Sequence, residues 1–140
     1  IWEPACGDGA ISKVLELRGF RVVSSDLYDR GYGESNMNFL NAECACDAII
    51  TNPPFRLASN FIERSAEKKV PFAMLTKSTF WHAEKRRRLF MDTGPMAVMA
   101  MTWRPAMSPE RGQSATMDFI WTVWGCIPNK ETKYILERRP

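Results

Sequence analysis

Short runs of apolar and β-branched residues alternate along the chain with longer stretches of helical periodicity. Runs of the first kind cover residues 1–3, 21–25, 48–51, 71–76, 96–103 and 117–126, and each is read as a strand. Stretches of the second kind cover 10–18, 57–68 and 82–90, read as helices, the last of them strongly basic. In the first helix Ile11, Val14, Leu15 and Leu17 are the apolar positions, and Gly19 is its stop. Residues 28–46, rich in Gly and Asn, read as loop with room for one short strand. Strand and helix alternate through the first four strands. That predicts an α/β domain, a mostly parallel open sheet with helices on both faces. The last two runs flank a polar loop containing Pro105, Pro109 and Gly112, which predicts a C-terminal antiparallel hairpin. Ligands bind such sheets beyond the carboxyl ends of the strands, so the chemistry is expected in the loops that follow them.

At 140 residues the chain is one domain by length, with 45% apolar and 25% charged residues. No run approaches the ~18 apolar residues of a membrane span, so no membrane partner is expected. A net charge of +3 is compatible with a polyanionic partner without demanding one. Four cysteines, Cys6, Cys44, Cys46 and Cys126, do not suggest a disulfide scaffold in a chain of this size. Cys44 and Cys46 lack the spacing of a zinc site and the only histidine is His82, so no metal is expected. Reduced, buried thiols in a cytoplasmic protein are the expectation. The chain opens at Ile1, inside the first strand, and reads as an N-terminally shortened form of a single domain.

Two loops carry the candidate chemistry. "EPACGDGA" lies between the first strand and the first helix, where Gly7 and Gly9 let backbone approach a ligand and the helix offers unsatisfied N–H groups. Asp26, at the end of the next strand, is placed like the acid that holds ribose hydroxyls in nucleotide-binding βαβ units. A tight turn alone also explains a pair of glycines here. The position of a dinucleotide fingerprint's third glycine is Ser12, and Glu3 and Asp8 put negative charge at the loop. A pyrophosphate is poorly served by that charge, whereas the cationic, phosphate-free S-adenosylmethionine suits it.

The second loop is "AIITNPPFRL", in which a strand runs into Asn52, two prolines and Phe55. The prolines fix two φ angles and remove two backbone donors, and Asn52 is pushed toward extended geometry. The plain reading is a strand-ending turn. The chemical reading is a clasp for an –NH2 group: Asn52 Oδ1 and the Pro53 carbonyl accept its hydrogens, and Phe55 stacks on the ring that carries it. An amine conjugated to an aromatic base is a poor nucleophile, and two fixed acceptors aim its lone pair at a methyl donor.

With both stretches in hand, the sequence resembles the class I S-adenosylmethionine-dependent amino-methyltransferases, and among them the bacterial and phage N6-adenine DNA methyltransferases. "EPACGDG" looks like the family's methionine-binding motif. The resemblance therefore implies S-adenosylmethionine as cofactor, held by Glu3, Pro4, Ala5, Cys6, Gly7, Asp8 and Gly9. It implies that Asp26, with its neighbour Leu27, meets the ribose. "NMNFLNAE" looks like the segment that contacts cofactor adenine, through Asn38 and Phe39, with Asn38 standing where aspartate is usual. "NPPF" matches the catalytic (D/N/S)PP(Y/F) motif and implies Asn52, Pro53, Pro54 and Phe55 as catalytic residues. "LTKSTFWHAEKRRRLF" and "RPAMSPERGQSATMDFIWTVW" resemble the remaining strands of phage-type members. The implied fold is Rossmann-like, a seven-stranded sheet with an antiparallel last hairpin. The implied reaction is methylation of the N6 amine of adenine in nucleic acid, DNA before RNA.

The same proline corner is also seen in enzymes that methylate the amine of RNA bases or the glutamine amide of proteins. A non-catalytic methyltransferase-fold binding subunit is a third reading. DNA-specific members usually carry a target-recognition region, and nothing after residue 126 is large enough to be one. A separate recognition subunit or a second copy of the chain is expected to supply it. Toward the substrate, Lys77, Arg86, Arg87, Trp103 and Arg104 are the candidates, with Asp118 at the site edge. The competing readings are a solvated basic helix face for Lys85 to Arg88 and core packing for Trp103.

Overall fold

Residues 1–105 and 117–137 are described by a computed structural model. Among them seven strands form one sheet in the order β2-β1-β3-β4-β6-β5-β7. The strands are β1 (Trp2–Glu3), β2 (Val23–Ser24), β3 (Ile49–Thr51), β4 (Phe72–Lys77), β5 (Ala97–Met101), β6 (Phe119–Trp124) and β7 (Lys133–Glu137). Helix α1 (Ala10–Leu17) follows β1, α2 (Ala58–Glu67) follows β3, and α3 (Arg87–Thr93) follows β4. Strands β1 to β4 are parallel, β6 is antiparallel to β4 and β5, and β7 is parallel to β5. The expected mixed α/β sheet and its antiparallel hairpin are therefore present. The strand allowed for within 28–46 is only an isolated bridge between Ser25 and Glu34. The seventh strand is instead β7, beyond the last run read as strand. The loop positions Pro109 and Gly112 lie outside the described residues.

Alternation along the strands divides the side chains between two faces. Trp2, Ile49, Phe72, Met74 and Trp124 point to the face of α2, where they pack with Phe39, Phe61 and Ile62. Phe72 and Trp124, paired across β4 and β6, stack at 4.6 Å and 10°; such a pair adds about 0.5–1.5 kcal/mol beyond its buried area. Glu3, next to Trp2, points to the opposite face and meets Ser12 of α1. The chain thus winds one way from β1 to β2 and the other way from β3 to β4. Crossovers of one hand then place α1 and α2 on opposite faces.

Two helices differ from their expected form. Val14 and Leu17 of α1 are exposed, and its buried residue is Ser12. The polar demand of Glu3, not an apolar stripe, sets which side of α1 faces the sheet. The basic helix expected over 82–90 begins as a 3-10 turn at Glu84–Arg86, and α3 starts only at Arg87. The Arg86 guanidinium donates to the Phe80 carbonyl at 2.8 Å and lies over the Phe80 ring, pinning the chain ahead of the helix. Trp81 stacks on Phe90 at 4.0 Å and donates to Thr122 Oγ1, which ties α3 to β6. At Gly94 (φ 52°) a Cβ would come within 2.6 Å of the Asn129 backbone, so only glycine fits the turn into β5. Among the described residues no helix is long and apolar enough to cross a membrane.

Candidate functional site

The loop after β1 and the loop after β3 leave neighbouring parallel strands at the same, carboxyl, edge of the sheet. Between those two strands the winding direction reverses. That crevice is the topological switch point at which open α/β sheets bind ligands. Adjacent strands lie about 4.8 Å apart, so residues 4–9 and 52–55 leave the sheet side by side.

On the first loop, Gly7 donates its N–H to Asp26 Oδ2 at 2.9 Å, and Tyr28 N–H reaches Asp26 Oδ1 at 3.0 Å. The carboxylate is thus oriented by backbone, while each oxygen keeps a further lone pair for a hydroxyl. Gly7 has φ 57° and nothing within 4 Å of a notional Cβ, so open space lies over its backbone. Gly9, also left-handed at φ 82°, is instead covered by the Tyr32 ring, which a Cβ would meet at 2.5 Å. Tyr32 in turn donates its hydroxyl to Glu16 of α1 at 3.0 Å. Asp8 is exposed, its carbonyl accepting from Lys13 Nζ at 2.7 Å. Leu27 is exposed beside Asp26.

Beneath the loop, Glu3 is 1% exposed. Ser12 Oγ donates to its carboxyl and lies 2.6 Å from Ser24 Oγ. Burial raises the Glu3 pKa from 4.5 to about 7; the Ser12 bonds pull it down, and the charges of Asp8 and Asp26 push it further up. Cys6 is buried, its thiol facing the Tyr32 carbonyl at 3.4 Å. Burial, then the charges of Glu3 and Asp26, push that thiol up to about 11. It stays protonated and is no nucleophile. Pro4 is buried and Ala5 packs on the core, so these two shape the loop from below.

On the second loop, Pro53 is fully buried and Pro54 exposed. Asn52 Oδ1 is buried and has no hydrogen-bond partner among the described residues. A buried amide oxygen left unpaired costs about 1–3 kcal/mol, so its persistence calls for an explanation. Phe55 is 45% exposed, with Phe119 beside it at 6.1 Å and Lys77 Nζ 4.2 Å over its ring. From Phe55 the row continues along the same edge to Arg104, whose Nε donates to Asp118 at 2.7 Å. Trp103 sits half-buried just beyond β5.

Three expected site residues lie elsewhere. Phe39 is a core side chain, 2% exposed and packed against Trp2 at 5.0 Å and Phe61 at 4.7 Å, so its ring has no face for an adenine. Arg86 is spent on Phe80, as above. Arg87 is exposed but lines a groove of about 1100 Å³ with Trp81, Phe90, Gly94, Pro95 and Lys130. That groove runs to the amino ends of β5 and β7, away from both loops. Asn38 is exposed, its Oδ1 accepting from the Leu40 N–H at 3.1 Å.

Comparison with family models finds no match, and neither does sequence comparison with curated proteins. Solved structures do match. One is a candidate class I S-adenosylmethionine-dependent methyltransferase from Listeria monocytogenes, 13% identical with a TM-score of 0.59 over 98% of this chain. Another is a candidate RNA methyltransferase from Pyrococcus horikoshii, 11% identical with a TM-score of 0.62 over 88%. A third is a dimethyladenosine transferase from Plasmodium falciparum, 15% identical with a TM-score of 0.61 over 92%. The chain spans 57%, 71% and 55% of these proteins, respectively. The fold is that of the class I methyltransferases.

Within that fold, sequence reasoning missed four residues at the two loops. Ser12 holds the Glu3 carboxyl and is itself paired with Ser24, Tyr32 covers Gly9, and Phe119 flanks Phe55. Ser12 had one signal, a small polar residue where the helix must approach the sheet. Tyr32 and Phe119 come from distant segments, and no local pattern marks them.

Proposed function

We propose that this chain transfers a methyl group from S-adenosylmethionine to the exocyclic N6 amine of adenine in nucleic acid, with DNA as the favoured polymer. The observation that carries the reading is the buried, unpartnered Asn52 Oδ1 at the switch point, one strand away from the Gly7 loop. An acceptor left unpaired by the described residues there is prepared for a donor that arrives with the substrate. The likeness in fold to a dimethyladenosine transferase supports an adenine amine as that donor.

The residues present fit the cofactor. The space over Gly7 admits the methionine portion, Asp26 retains lone pairs for ribose hydroxyls, and the exposed Asp8 puts on the loop the negative charge a cation prefers. When bound, S-adenosylmethionine would supply an electrophilic methyl group: the N–C bond would form as the sulfonium S–C bond breaks, leaving neutral S-adenosylhomocysteine, and the amine would lose one proton to solvent. Asn52 Oδ1 and the Pro53 carbonyl hold the two amine hydrogens and so turn the lone pair out of the ring plane. Phe55 stacks on the base at about 1–3 kcal/mol, which offsets much of the few kcal/mol needed to flip it from a duplex. The protonated Cys6 fits direct transfer without a covalent intermediate. Of the four free cysteines only Cys6 is buried as expected, Cys44 and Cys46 being half-buried and Cys126 exposed, and free thiols suit a reducing compartment such as the cytoplasm.

A Gly7→Ala substitution checks the cofactor loop. Its methyl meets open space but forces a left-handed alanine, at a cost of about 1 kcal/mol. Isothermal titration is expected to show S-adenosylmethionine affinity at least about tenfold weaker with the fold retained, because that methyl fills the space the ligand needs. Gly9→Ala, which collides with Tyr32, is expected to lower the melting temperature instead.

The reading as a whole is tested by incubating the chain with tritiated S-adenosylmethionine and unmethylated DNA, RNA or protein. Label is expected on adenine N6 of DNA, with binding that weakens steeply as salt rises. Label on glutamine alone, or background counts on all three from a folded chain that binds the cofactor, would overturn it.

A further inference from the structure

Lys77 is the last residue of β4, and its ammonium stands 4.2 Å over the centroid of the Phe55 ring. Among the described residues it has no carboxylate and no hydrogen-bonding partner. The ring that the proposed function gives to the target base is therefore already capped by a cation. A planar base and an ammonium do not share one ring face, so a base that takes the face under Lys77 must displace it. A free nucleoside offers that ammonium nothing in exchange. A polynucleotide does, because an ammonium gains more from a charge-assisted hydrogen bond to phosphate than from an exposed aromatic face.

We infer that Lys77 is a phosphate-released cover on Phe55, which restricts the site to adenines flanked by a phosphate backbone. In the free protein the ammonium occupies the ring. A bound strand draws it onto a phosphate, and the vacated face takes the flipped base. Strand binding and base stacking are thereby coupled, and adenosine or an uncharged amide has to compete with the lysine. The inference rests on the proposed function and names its substrate class more narrowly.

The test compares two probes, 2-aminopurine riboside and a single-stranded DNA oligonucleotide with one 2-aminopurine, by fluorescence titration on wild type and Lys77→Met. The variant is expected to bind the riboside about threefold or more tightly, and the oligonucleotide about tenfold more weakly. The slope of log affinity against log salt is expected to be shallower by about 0.7, the share of one phosphate contact on a single strand. Lys77→Arg should restore the oligonucleotide affinity. Shifts of the two probes in the same direction, or in neither, overturn the cover. A second measurement uses wild type only: a short abasic strand should tighten riboside binding, and competition or no effect also overturns it. If wild type binds the cofactor but neither probe, the proposed function fails and Lys77's role with it. If wild type methylates DNA while the probes shift together, only the role of Lys77 fails.

Discussion

An Asn52→Ala protein is expected to lose about 10²–10³-fold in kcat while its affinity for S-adenosylmethionine stays within about twofold of wild type. Both parts follow from where the side chain sits. Its Oδ1 is buried, makes no hydrogen bond among the described residues, and belongs to the loop after β3, whereas Gly7 and Asp26 belong to the loops after β1 and β2. Removing the acceptor leaves the amine free to stay planar with its ring, so the loss falls on the chemical step and spares the cofactor. The same substitution removes a desolvated and unpaired polar atom, so the folded protein should gain up to about 1 kcal/mol in urea unfolding. A structural asparagine would behave in the opposite way, with stability falling and cofactor affinity falling with it. Asn52→Asp keeps an acceptor oxygen at the same place and is expected to retain measurable transfer. Radiolabel transfer, calorimetric cofactor titration and urea melts on the three proteins separate these outcomes.

The two loops were legible in the sequence because their geometry is set by local chemistry. Gly7 and Gly9 adopt positive φ, which few other residues tolerate, and two prolines stiffen the corner whatever surrounds them. The parallel pairing of the first four strands was legible for a similar reason, since alternating β and α elements admit few arrangements. Features decided by tertiary competition were not. Ser12 faces the sheet in place of Val14 and Leu17 because the buried Glu3 needs a hydroxyl, and a count of apolar positions is blind to that demand. Phe39 reads as a ligand contact in a motif, yet Trp2 and Phe61 claim its ring for the core. Arg86 reads as part of a basic face, yet the Phe80 carbonyl and ring hold its guanidinium. Strand β7 lies at the sheet edge with Tyr134 and Leu136 exposed, and a strand that buries so little has no need of the apolar run by which the others were recognised.

Glu3 provides the second large effect, on stability against pH. Its carboxyl is desolvated under the Gly7 loop and titrates near 7 in the folded chain, against 4.5 for the ordinary value. Between those two pH values the unfolded chain has released the proton and the folded chain still holds it. Unfolding therefore releases a proton, and stability falls as pH rises through that window. At 1.36 kcal/mol per pH unit the full loss is about 3 kcal/mol, complete above pH 7, where both states are ionised. Glu3→Gln keeps the shape and an acceptor for Ser12 but carries no proton to lose. Urea unfolding from pH 4 to pH 8 is expected to show the glutamine protein gaining about 3 kcal/mol on wild type across the range, and parallel profiles would show that Glu3 titrates as an ordinary carboxyl. The same linkage reaches the cofactor. A sulfonium and an ammonium held in the loop above favour the ionised carboxyl, so their binding expels the proton that burial retains. Affinity for S-adenosylmethionine should accordingly rise with pH between about 5 and 7 in wild type and stay flat in Glu3→Gln, with proton release read from calorimetry in buffers of different ionisation enthalpy.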